Sequence, residues 1–361
     1  MTTTILIFIA GLITLIIGAE LLVRGASRLA AIFGVSPLVI GLTIVAIGTA
    51  SPEIAVSLHA AASGQGDLTL GNVLGSNIFN LLFILGVTSI ATPIIIAEQL
   101  IRKDAPIMVG ISLLVLGLSL DQNLSVVDGG ILLLCLILYT VFALRQSKKE
   151  PKEVKQEYAE EFGRKEPKNA KNIIVNLVLI LIGLGLLIIG SEWLVESATK
   201  IAESLGVSEL IIGLTIVAIG TSLPEVATSI IAAVKGESDI AIGNAIGSNI
   251  FNLLGVLGIG ALLAPDGVMV AERVLRFDML VMVFVALATL PIFYLDNRIS
   301  RIEGGLLLSY YVFYVLYVIL RAAGSPLLQT LDWIIVIFVP VTFGLLVYLA
   351  LRSIRKNRKQ G

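Results

Sequence analysis

The stretch VAIGTSLPEVATS, residues 217 to 229, places a proline and a carboxylate inside a long apolar run, and VAIGTASPEIAVS repeats the arrangement at residues 45 to 57. Of the 361 residues, 57% are hydrophobic and 14% are charged. A soluble domain has about 45–50% apolar and about 25% charged residues. The apolar residues form runs of about 20, the length that a helix needs to cross a bilayer. We therefore predict an all-α polytopic membrane protein whose partner is the lipid bilayer, not nucleic acid.

Eleven segments are apolar and long enough to be predicted as spans. They are residues 5–23, 36–62, 69–92, 104–120, 126–144, 173–195, 208–234, 239–264, 279–295, 304–321 and 331–351. The one long polar segment, residues 145–172, contains charges of both signs and two prolines. We interpret it as a solvated linker between two halves of five spans each. The N-terminal run lacks the basic segment and cleavage site of a signal peptide, so we expect it to be retained as the first span.

The basic residues predict an orientation, because Lys and Arg are enriched on the cytoplasmic side of a membrane. With the linker in the cytoplasm and the N-terminus outside, all but four of the 25 lysines and arginines lie on the cytoplasmic side. The exceptions are Lys200, Arg273, Arg276 and Arg321. The basic C-terminal tail then also lies in the cytoplasm, which supports the eleventh span. We expect a multi-pass protein of the inner (plasma) membrane of the cell.

The two halves of the chain contain an internal repeat. Residues 41–86 align without gaps with residues 213–258, and 29 of the 46 aligned pairs are identical. Equivalent points lie five spans apart, so the second copy crosses the membrane in the opposite direction. Inverted repeats are typical of secondary transporters, whose binding sites lie near the bilayer midplane where interrupted helices meet. The predicted domains are a first five-helix repeat (1–144), the cytoplasmic linker (145–172), a second, inverted five-helix repeat (173–321), and an additional C-terminal span with a basic tail (322–361). The ten-helix core therefore carries one extra transmembrane helix.

The first polar segment of each copy reads G-T-x-x-P-E. A proline lacks the amide that would bond the carbonyl four residues before it, so we expect the carbonyls of Gly48 and Gly220 to be free for another partner. A carboxylate follows each proline, and a threonine lies four residues before each carboxylate, on the same face of a continuous helix. The residues are Thr49 and Glu53 in the first copy, and Thr221 and Glu225 in the second. Such oxygen ligands suit Na⁺, Ca²⁺ or Mg²⁺ rather than a transition metal.

The second polar segment of each copy reads G-N-x-x-G-S-N-I-F-N. Ser76 and Asn80 are four residues apart and share a helical face, as do Ser248 and Asn252. We interpret these four residues as further candidate ion ligands. For the other asparagines of the segment we favour hydrogen bonds between helices. They are Asn72, Asn77, Asn244 and Asn249.

Two more carboxylates, Glu20 and Glu192, match across the repeat near the ends of the first and sixth spans. Two interpretations stay open for this pair. They are either interfacial charges or residues of an ion path or gate.

These motifs resemble the calcium/cation antiporter superfamily, and most closely its prokaryotic sodium/calcium exchanger branch. GTSLPE with GNAIGSNIFN, and their counterparts in the first half, are similar to the two alpha repeats of that family. The resemblance covers about residues 5–321. It implies two inverted bundles of five helices, no resident cofactor, and inorganic cations as transported substrates. The implied function is secondary active antiport of Ca²⁺ against Na⁺ by alternating access, not an enzymatic reaction.

The resemblance also implies the ion ligands, beginning with the acidic pair Glu53 and Glu225. The remaining ligands are the hydroxyls of Thr49, Thr221, Ser222, Ser76 and Ser248, the side chains of Asn80 and Asn252, and the backbone carbonyls of Ala46 and Ala218. The first copy departs from this pattern at Ala50, which faces Ser222. One hydroxyl is therefore missing, unless Ser51 or a water molecule replaces it. Asn252 stands where some members have aspartate, potassium-dependent exchangers included, which disfavours potassium cotransport.

The implied mechanism is competitive. Two carboxylates balance the charge of one Ca²⁺, and Na⁺ ions occupy overlapping oxygen sites and displace it, so that inward sodium flow drives calcium out. One alternative keeps the fold but uses protons as the coupling ion for calcium or another divalent cation. A channel is a second alternative, disfavoured by the inverted repeat and its broken helices. The third is an intramembrane aspartyl protease, suggested by GQGD at residues 64–67, whose repeat partner reads GESD.

Overall fold

The structure is a computed structural model that describes residues 2–149, 169–205, 218–264 and 266–357. Nearly all of this backbone is helical, because a segment in lipid must satisfy its own amides and carbonyls. The helices of the first half are α1 (Thr2–Phe33), α2 (Pro37–Thr49), α3 (Ser51–Ala62), α4 (Gly66–Phe79, Asn80–Ile84 and Leu85–Ala91), α5 (Leu100–Asp104 and Ala105–Leu118) and α6 (Val126–Lys149). Those of the second half are α7 (Ala170–Ser204), α8 (Ala218–Gly220), α9 (Leu223–Val234), α10 (Ser238–Phe251, Asn252–Val256 and Leu257–Leu263), α11 (Val274–Asp278 and Met279–Tyr294), α12 (Arg301–Ala322) and α13 (Leu327–Asn357).

Within the described residues, eight helices are long and apolar enough to cross a membrane, and the bent pair α2–α3 would be a ninth span. The predicted span 104–120 lies in α5, whose first turn contains Arg102, Lys103 and Asp104. The predicted span 208–234 begins outside the described residues, and its remainder forms α8 and α9. Residues 150–168 of the linker also lie outside them. The predicted all-α, multi-span membrane fold is confirmed.

Both copies of the opening motif form broken helices. The axes of α2 and α3 differ by 56° across Ala50, and a proline stands in the first turn of α3 and of α9. Proline is favoured there because the first amides of a helix have no partner within it. The carbonyl of Gly48 accepts a hydrogen bond from Ser51 Oγ at 2.7 Å. The equivalent carbonyl of Gly220 accepts one from Ser191 Oγ at 3.0 Å. A serine hydroxyl is therefore a hydrogen-bond partner of each of the two carbonyls.

Helices α4 and α10 are the most buried of the candidate spans. Each is interrupted by a π-helical turn at the same point of the repeat, Asn80–Ile84 in α4 and Asn252–Val256 in α10. A π-helical turn is uncommon and is found mostly at functional sites. Both turns begin at an asparagine of the second polar segment, so the distortion sits beside the candidate ligands.

The two longest helices, α1 and α7, run antiparallel in close contact. Gly11, Gly18 and Gly25 of α1 face Gly190, Gly183 and Asn176 of α7, respectively. A Cβ atom on Gly18 would lie 2.8 Å from the carbonyl oxygen of Gly183. Small residues at an interface allow the backbones of membrane helices to approach closely.

Two short antiparallel ribbons join the halves of the molecule. β1 (Ile94–Ile95) pairs with β4 (Arg298–Ile299), with Ile94 opposite Ile299. β2 (Asn123–Leu124) pairs with β3 (Val268–Met269), with Leu124 opposite Val268. Each ribbon therefore pairs one strand from each half of the chain.

Candidate functional site

The carboxylates of the opening motif are deeply buried at the starts of α3 and α9. Glu53 is 2% exposed and Glu225 is 1% exposed. An ionisable residue inside a membrane protein is costly to bury and usually functional. Within the described residues, no three His, Cys, Asp or Glu side chains group as a metal site. The candidate site therefore depends on two carboxylates together with neutral oxygens.

Hydroxyls of each repeat bond polar side chains of the other repeat. Ser222 Oγ donates a hydrogen bond to Glu53 Oε1 at 2.6 Å. Thr49 Oγ1 donates a hydrogen bond to Asn244 Oδ1, on the central helix of the other repeat, at 3.0 Å. The four-residue spacing predicted instead that Thr49 would face Glu53. That expectation was wrong because the chain bends at Ala50, so the residues before and after the break do not share one helical face.

Four buried oxygens of the predicted ligands have no hydrogen-bond partner. They are Oε2 of Glu53, Oε2 of Glu225, Oδ1 of Asn80 and Oδ1 of Asn252. Leaving a buried polar group without a partner costs about 1–3 kcal/mol, and more when the group is charged. Two carboxylate oxygens and two amide oxygens thus remain available to a cation.

The amide nitrogens of the same two asparagines are engaged by the protein. Asn80 Nδ2 donates to Asn249 Oδ1 at 3.0 Å. Asn252 Nδ2 donates to Ser76 Oγ at 3.1 Å and to Asn77 Oδ1 at 3.3 Å. These bonds fix the orientation of both amides and leave their oxygens as the unpaired atoms.

Asn77 and Asn249 join the two central helices. Asn77 Nδ2 donates to the carbonyl of Asn249 at 3.4 Å, and Asn249 Nδ2 donates to the carbonyl of Asn77 at 3.1 Å. The interaction is symmetric because the two residues are equivalent in the repeat. The prediction that these asparagines hold helices together is confirmed.

Asn72 and Asn244 hold the glutamate-bearing helices in the same way. Asn72 Nδ2 donates to the backbone carbonyl of Glu53 at 3.2 Å and to Ser57 Oγ at 2.9 Å. Asn244 Nδ2 donates to the carbonyl of Glu225 at 3.4 Å and to a serine hydroxyl of α9 at 3.1 Å. Each carboxylate is therefore positioned by an asparagine from the adjacent central helix.

Ala46, Ser248 and Ser76, three further predicted ligands, form hydrogen bonds beside this network. The carbonyl of Ala46 is 3.5 Å from Ser248 Oγ and 3.4 Å from Thr49 Oγ1. Ser76 Oγ donates to the carbonyl of Val73 at 3.1 Å. The backbone of Ala218 lies at the first residue of α8.

The structure answers the question of the missing hydroxyl. Ala50 is fully buried, and the Ser51 hydroxyl bonds the carbonyl of Gly48. Ser51 therefore does not take the place that Ser222 occupies in the second copy. The site is therefore asymmetric, since Ser222 donates to Glu53 Oε1, whereas Ala50, its repeat partner, has no hydroxyl to donate to Glu225.

Sequence reasoning missed two features of the site. The first is Ser191, which caps the carbonyl of Gly220. Its signal was a serine in GSEWLV (190–195) where the first copy has alanine in GAELLV (18–23). The second is the pair of π-helical turns, for which the sequence offers no periodicity signal.

Comparisons with known proteins show the family of the chain. A profile of the family described as sodium/calcium exchanger protein matches residues 3–145 and 175–320. The chain is 41% identical over 316 residues to the "Putative antiporter CaxA" of Alkalimonas amylolytica, covering 85% of this chain and 95% of that protein. It is 36% identical over 259 residues to the inner membrane protein YrbG of Escherichia coli, covering 72% and 79% respectively.

A solved structure of the sodium-calcium exchanger NCX_Mj, soaked with 10 mM Na⁺ and zero Ca²⁺, matches with a TM-score of 0.74 and 32% identity. The match covers 87% of this chain and 98% of that one. Sequence and fold thus agree over most of both molecules, and the chain belongs to the sodium/calcium exchanger protein family.

Proposed function

We propose that the protein is a secondary active antiporter that exchanges Ca²⁺ for Na⁺ by alternating access. The observation that carries the proposal is the set of four unpaired buried oxygens on Glu53, Glu225, Asn80 and Asn252. Calcium takes oxygen ligands from carboxylates, amides and backbone carbonyls. The two carboxylates balance the charge of one Ca²⁺, and the amide oxygens add neutral ligands.

Sodium competes for the same oxygens in this proposal. The candidate sodium ligands are the hydroxyls of Thr49, Thr221, Ser222 and Ser248 and the carbonyls of Ala46 and Ala218. Two carboxylates cannot neutralise a calcium ion and several sodium ions at once, so occupancy by one cation disfavours the other. Competition of this kind couples the movement of sodium in one direction to that of calcium in the other.

The inverted repeat supports alternating access. Residues 1–144 and 173–321 form the proposed repeats, with residues 145–172 as a linker and 322–361 as an added span and tail. Transporters of this architecture expose a central site to each side in turn by moving one part against the other. We place the protein in the inner (plasma) membrane, with the N-terminus outside and both the linker and the C-terminus in the cytoplasm, as the basic residues predict.

The name of the NCX_Mj structure and the name of the matching family both specify sodium and calcium. These names support sodium as the coupling ion. The alternative, a proton-coupled calcium or other divalent cation antiporter of the same fold, has a specific basis too, because the two buried glutamates are groups that can carry protons.

Calcium uptake into proteoliposomes tests the proposal. Vesicles loaded with sodium are compared with choline-loaded and acid-loaded vesicles, using the wild-type chain, Glu53→Gln and Glu225→Gln. We expect uptake only with the sodium gradient, and none in either variant. Glu98→Gln is the matched control, because Glu98 is an exposed carboxylate paired with Arg102 at 2.7 Å within its own helical turn.

Three outcomes would each reject part of the proposal. Uptake driven by the acid-loaded vesicles would replace sodium with protons. Equal calcium uptake into all three kinds of vesicle, independent of any gradient of a counter-ion, would indicate a channel. Full uptake in Glu53→Gln would show that calcium does not depend on the proposed site.

A further inference from the structure

The two repeats are similar in sequence, but their surroundings in the structure differ. Ala227 and Thr228 of α9 are buried, whereas their repeat partners in α3, Ala55 and Val56, are exposed. The glutamate one turn earlier is buried in both copies. The two helices therefore differ in burial at the residues that follow the glutamate.

A neighbouring long helix causes the difference. Helix α1 packs along α9, whereas its repeat partner α7 makes no comparable contact with α3 among the described residues. Helix α1 thus covers α9 beyond the site, whereas α7 leaves the equivalent part of α3 exposed. In an inverted repeat, exchange of these two environments is the transition between the two access states.

Polar contacts fasten α1 to the turn between α9 and α10. The ammonium group of Lys235 forms an ion pair with the carboxylate of Glu20. Seven residues further along α1, Ser27 Oγ donates a hydrogen bond to Glu237 Oε1 at 2.5 Å. We call these two contacts, Glu20–Lys235 and Ser27–Glu237, the α1 clasp.

The mirror side cannot form the same ion pair. The repeat partner of Glu20 is Glu192, which is exposed, and the partner of Lys235 is Ser63. A serine carries no charge, so α7 has no equivalent cation in the α3–α4 turn. The sequence therefore encodes the ion pair on one side of the molecule only.

We propose that the α1 clasp is a conformational latch that favours the state in which α1 covers α9. The inference rests on the proposed alternating access, and it adds a residue-level bias between the two access states. Breaking the clasp shifts the population toward the state in which α1 leaves α9. Contacts present in only one of two states shift their equilibrium by the free energy of those contacts.

Cysteine accessibility tests the latch without requiring ion flux. The chain has a single cysteine, Cys135, so a Cys135→Ser background leaves one reporter thiol at a time. Ala227→Cys reports on the part of α9 that α1 covers, and Ala55→Cys on the equivalent, exposed part of α3. The rate of modification by a water-soluble maleimide is measured for the purified full-length protein with each reporter.

We expect Lys235→Gln to speed modification of the Ala227→Cys reporter and to slow that of the Ala55→Cys reporter. A partly exposed ion pair contributes enough to change such a population by up to about fivefold. Ser27→Ala should likewise speed modification of the Ala227→Cys reporter and slow that of the Ala55→Cys reporter. Lys235→Arg keeps the ion pair and should restore the wild-type rates.

Two controls separate a latch from general loosening. Lys200→Gln removes an ion pair that lies within α7, with Glu196, and should leave both rates unchanged. A merely structural role for Lys235 would speed modification of both reporters, and that result overturns the proposal. Unchanged rates in Lys235→Gln overturn it as well. The two proposals can fail separately. If the vesicles take up no calcium but the two reporter rates change in opposite directions, the sodium/calcium assignment is rejected and the latch is retained.

Discussion

At the scale of single residues, the site is built by hydrogen bonds from side chains of one repeat to side chains of the other. Ser222 of the second copy donates to Glu53 of the first, and Thr49 of the first copy donates to Asn244 of the second. The sequence identified these residues because polar side chains stand out in apolar spans and recur at a constant offset. It could not pair them, because the pairing depends on the bend at Ala50.

The asymmetry at Ala50 leads to a gain-of-function prediction. Ala50→Ser should add the hydroxyl that mirrors Ser222 and bring a donor to Glu225. We expect the KM for sodium to fall by about fivefold, since a ligand or hydrogen bond of this kind is worth about 1 kcal/mol. Sodium-dependent calcium uptake at graded sodium concentrations gives the KM.

The matched control is Ser51→Ala, which removes the hydroxyl bonded to the carbonyl of Gly48. It should affect stability more than sodium affinity. An unchanged KM for sodium in a folded Ala50→Ser protein would mean that position 50 does not reach the ion site.

At the scale of helices, small residues determine how closely the two long helices approach. Gly183 of α7 lies against the backbone of α1, where an added Cβ would be 2.7 Å from the amide nitrogen of Leu22. Gly185, two residues later on the same helix, has nothing within 4 Å of an added Cβ. Both glycines are visible in the sequence, but only the structure distinguishes the contact glycine from the free one.

These two glycines form a matched pair of test positions. Gly183→Ala should destabilise the protein by about 1–3 kcal/mol, because backbone atoms rather than a flexible side chain must move. Gly185→Ala should be neutral. Thermal unfolding of the two purified variants in one detergent measures the difference. Equal melting temperatures would contradict the close packing of α1 against α7.

The π-helical turns in α4 and α10 are also features of this scale. Each begins at an asparagine whose amide oxygen is unpaired, Asn80 or Asn252. Hydrophobic periodicity predicted both helices but could not locate a turn with one extra residue. Local distortions of this kind depend on the packing of the neighbouring helix, which a single sequence does not display.

At the scale of the whole molecule, the chain is a multi-pass membrane transporter rather than an enzyme, as its family membership establishes. The aspartyl protease alternative is thereby excluded. Composition and the internal repeat were sufficient to predict this class, because both are properties of the whole chain. The boundaries of a span were harder to predict from the sequence where charged residues lie inside the helix, as in the first turn of α5.

The last helix lies outside the family match, which ends at residue 320. α13 contacts the rest of the protein through a 2.6 Å hydrogen bond between the Tyr310 and Thr342 hydroxyls and through ring contacts such as that of Phe284 with Phe343. The most apolar window of α13 is only 11% buried. α13 is therefore peripheral to the packed core.

Truncation after Ala323 should retain sodium/calcium exchange within about twofold and lower the melting temperature by a few degrees, since each kcal/mol lost lowers it by about 1–2 °C in a chain of this length. Uptake and thermal unfolding of the purified truncated protein measure both effects. Thr342→Val, which removes the hydrogen bond to Tyr310, is the control in the full-length chain. A folded truncated protein without exchange activity would assign α13 a direct part in transport.

The most direct test of the central claim is equilibrium binding of radioactive calcium to the purified protein in detergent, titrated with sodium chloride against choline chloride. We expect one class of calcium-binding site, from which sodium displaces calcium and choline does not. Glu53→Gln and Glu225→Gln should each weaken calcium binding at least about tenfold, about 1.4 kcal/mol, with Glu98→Gln unchanged. Wild-type calcium affinity in either glutamine variant, or calcium binding that is indifferent to sodium, would contradict a shared site built on the two buried glutamates.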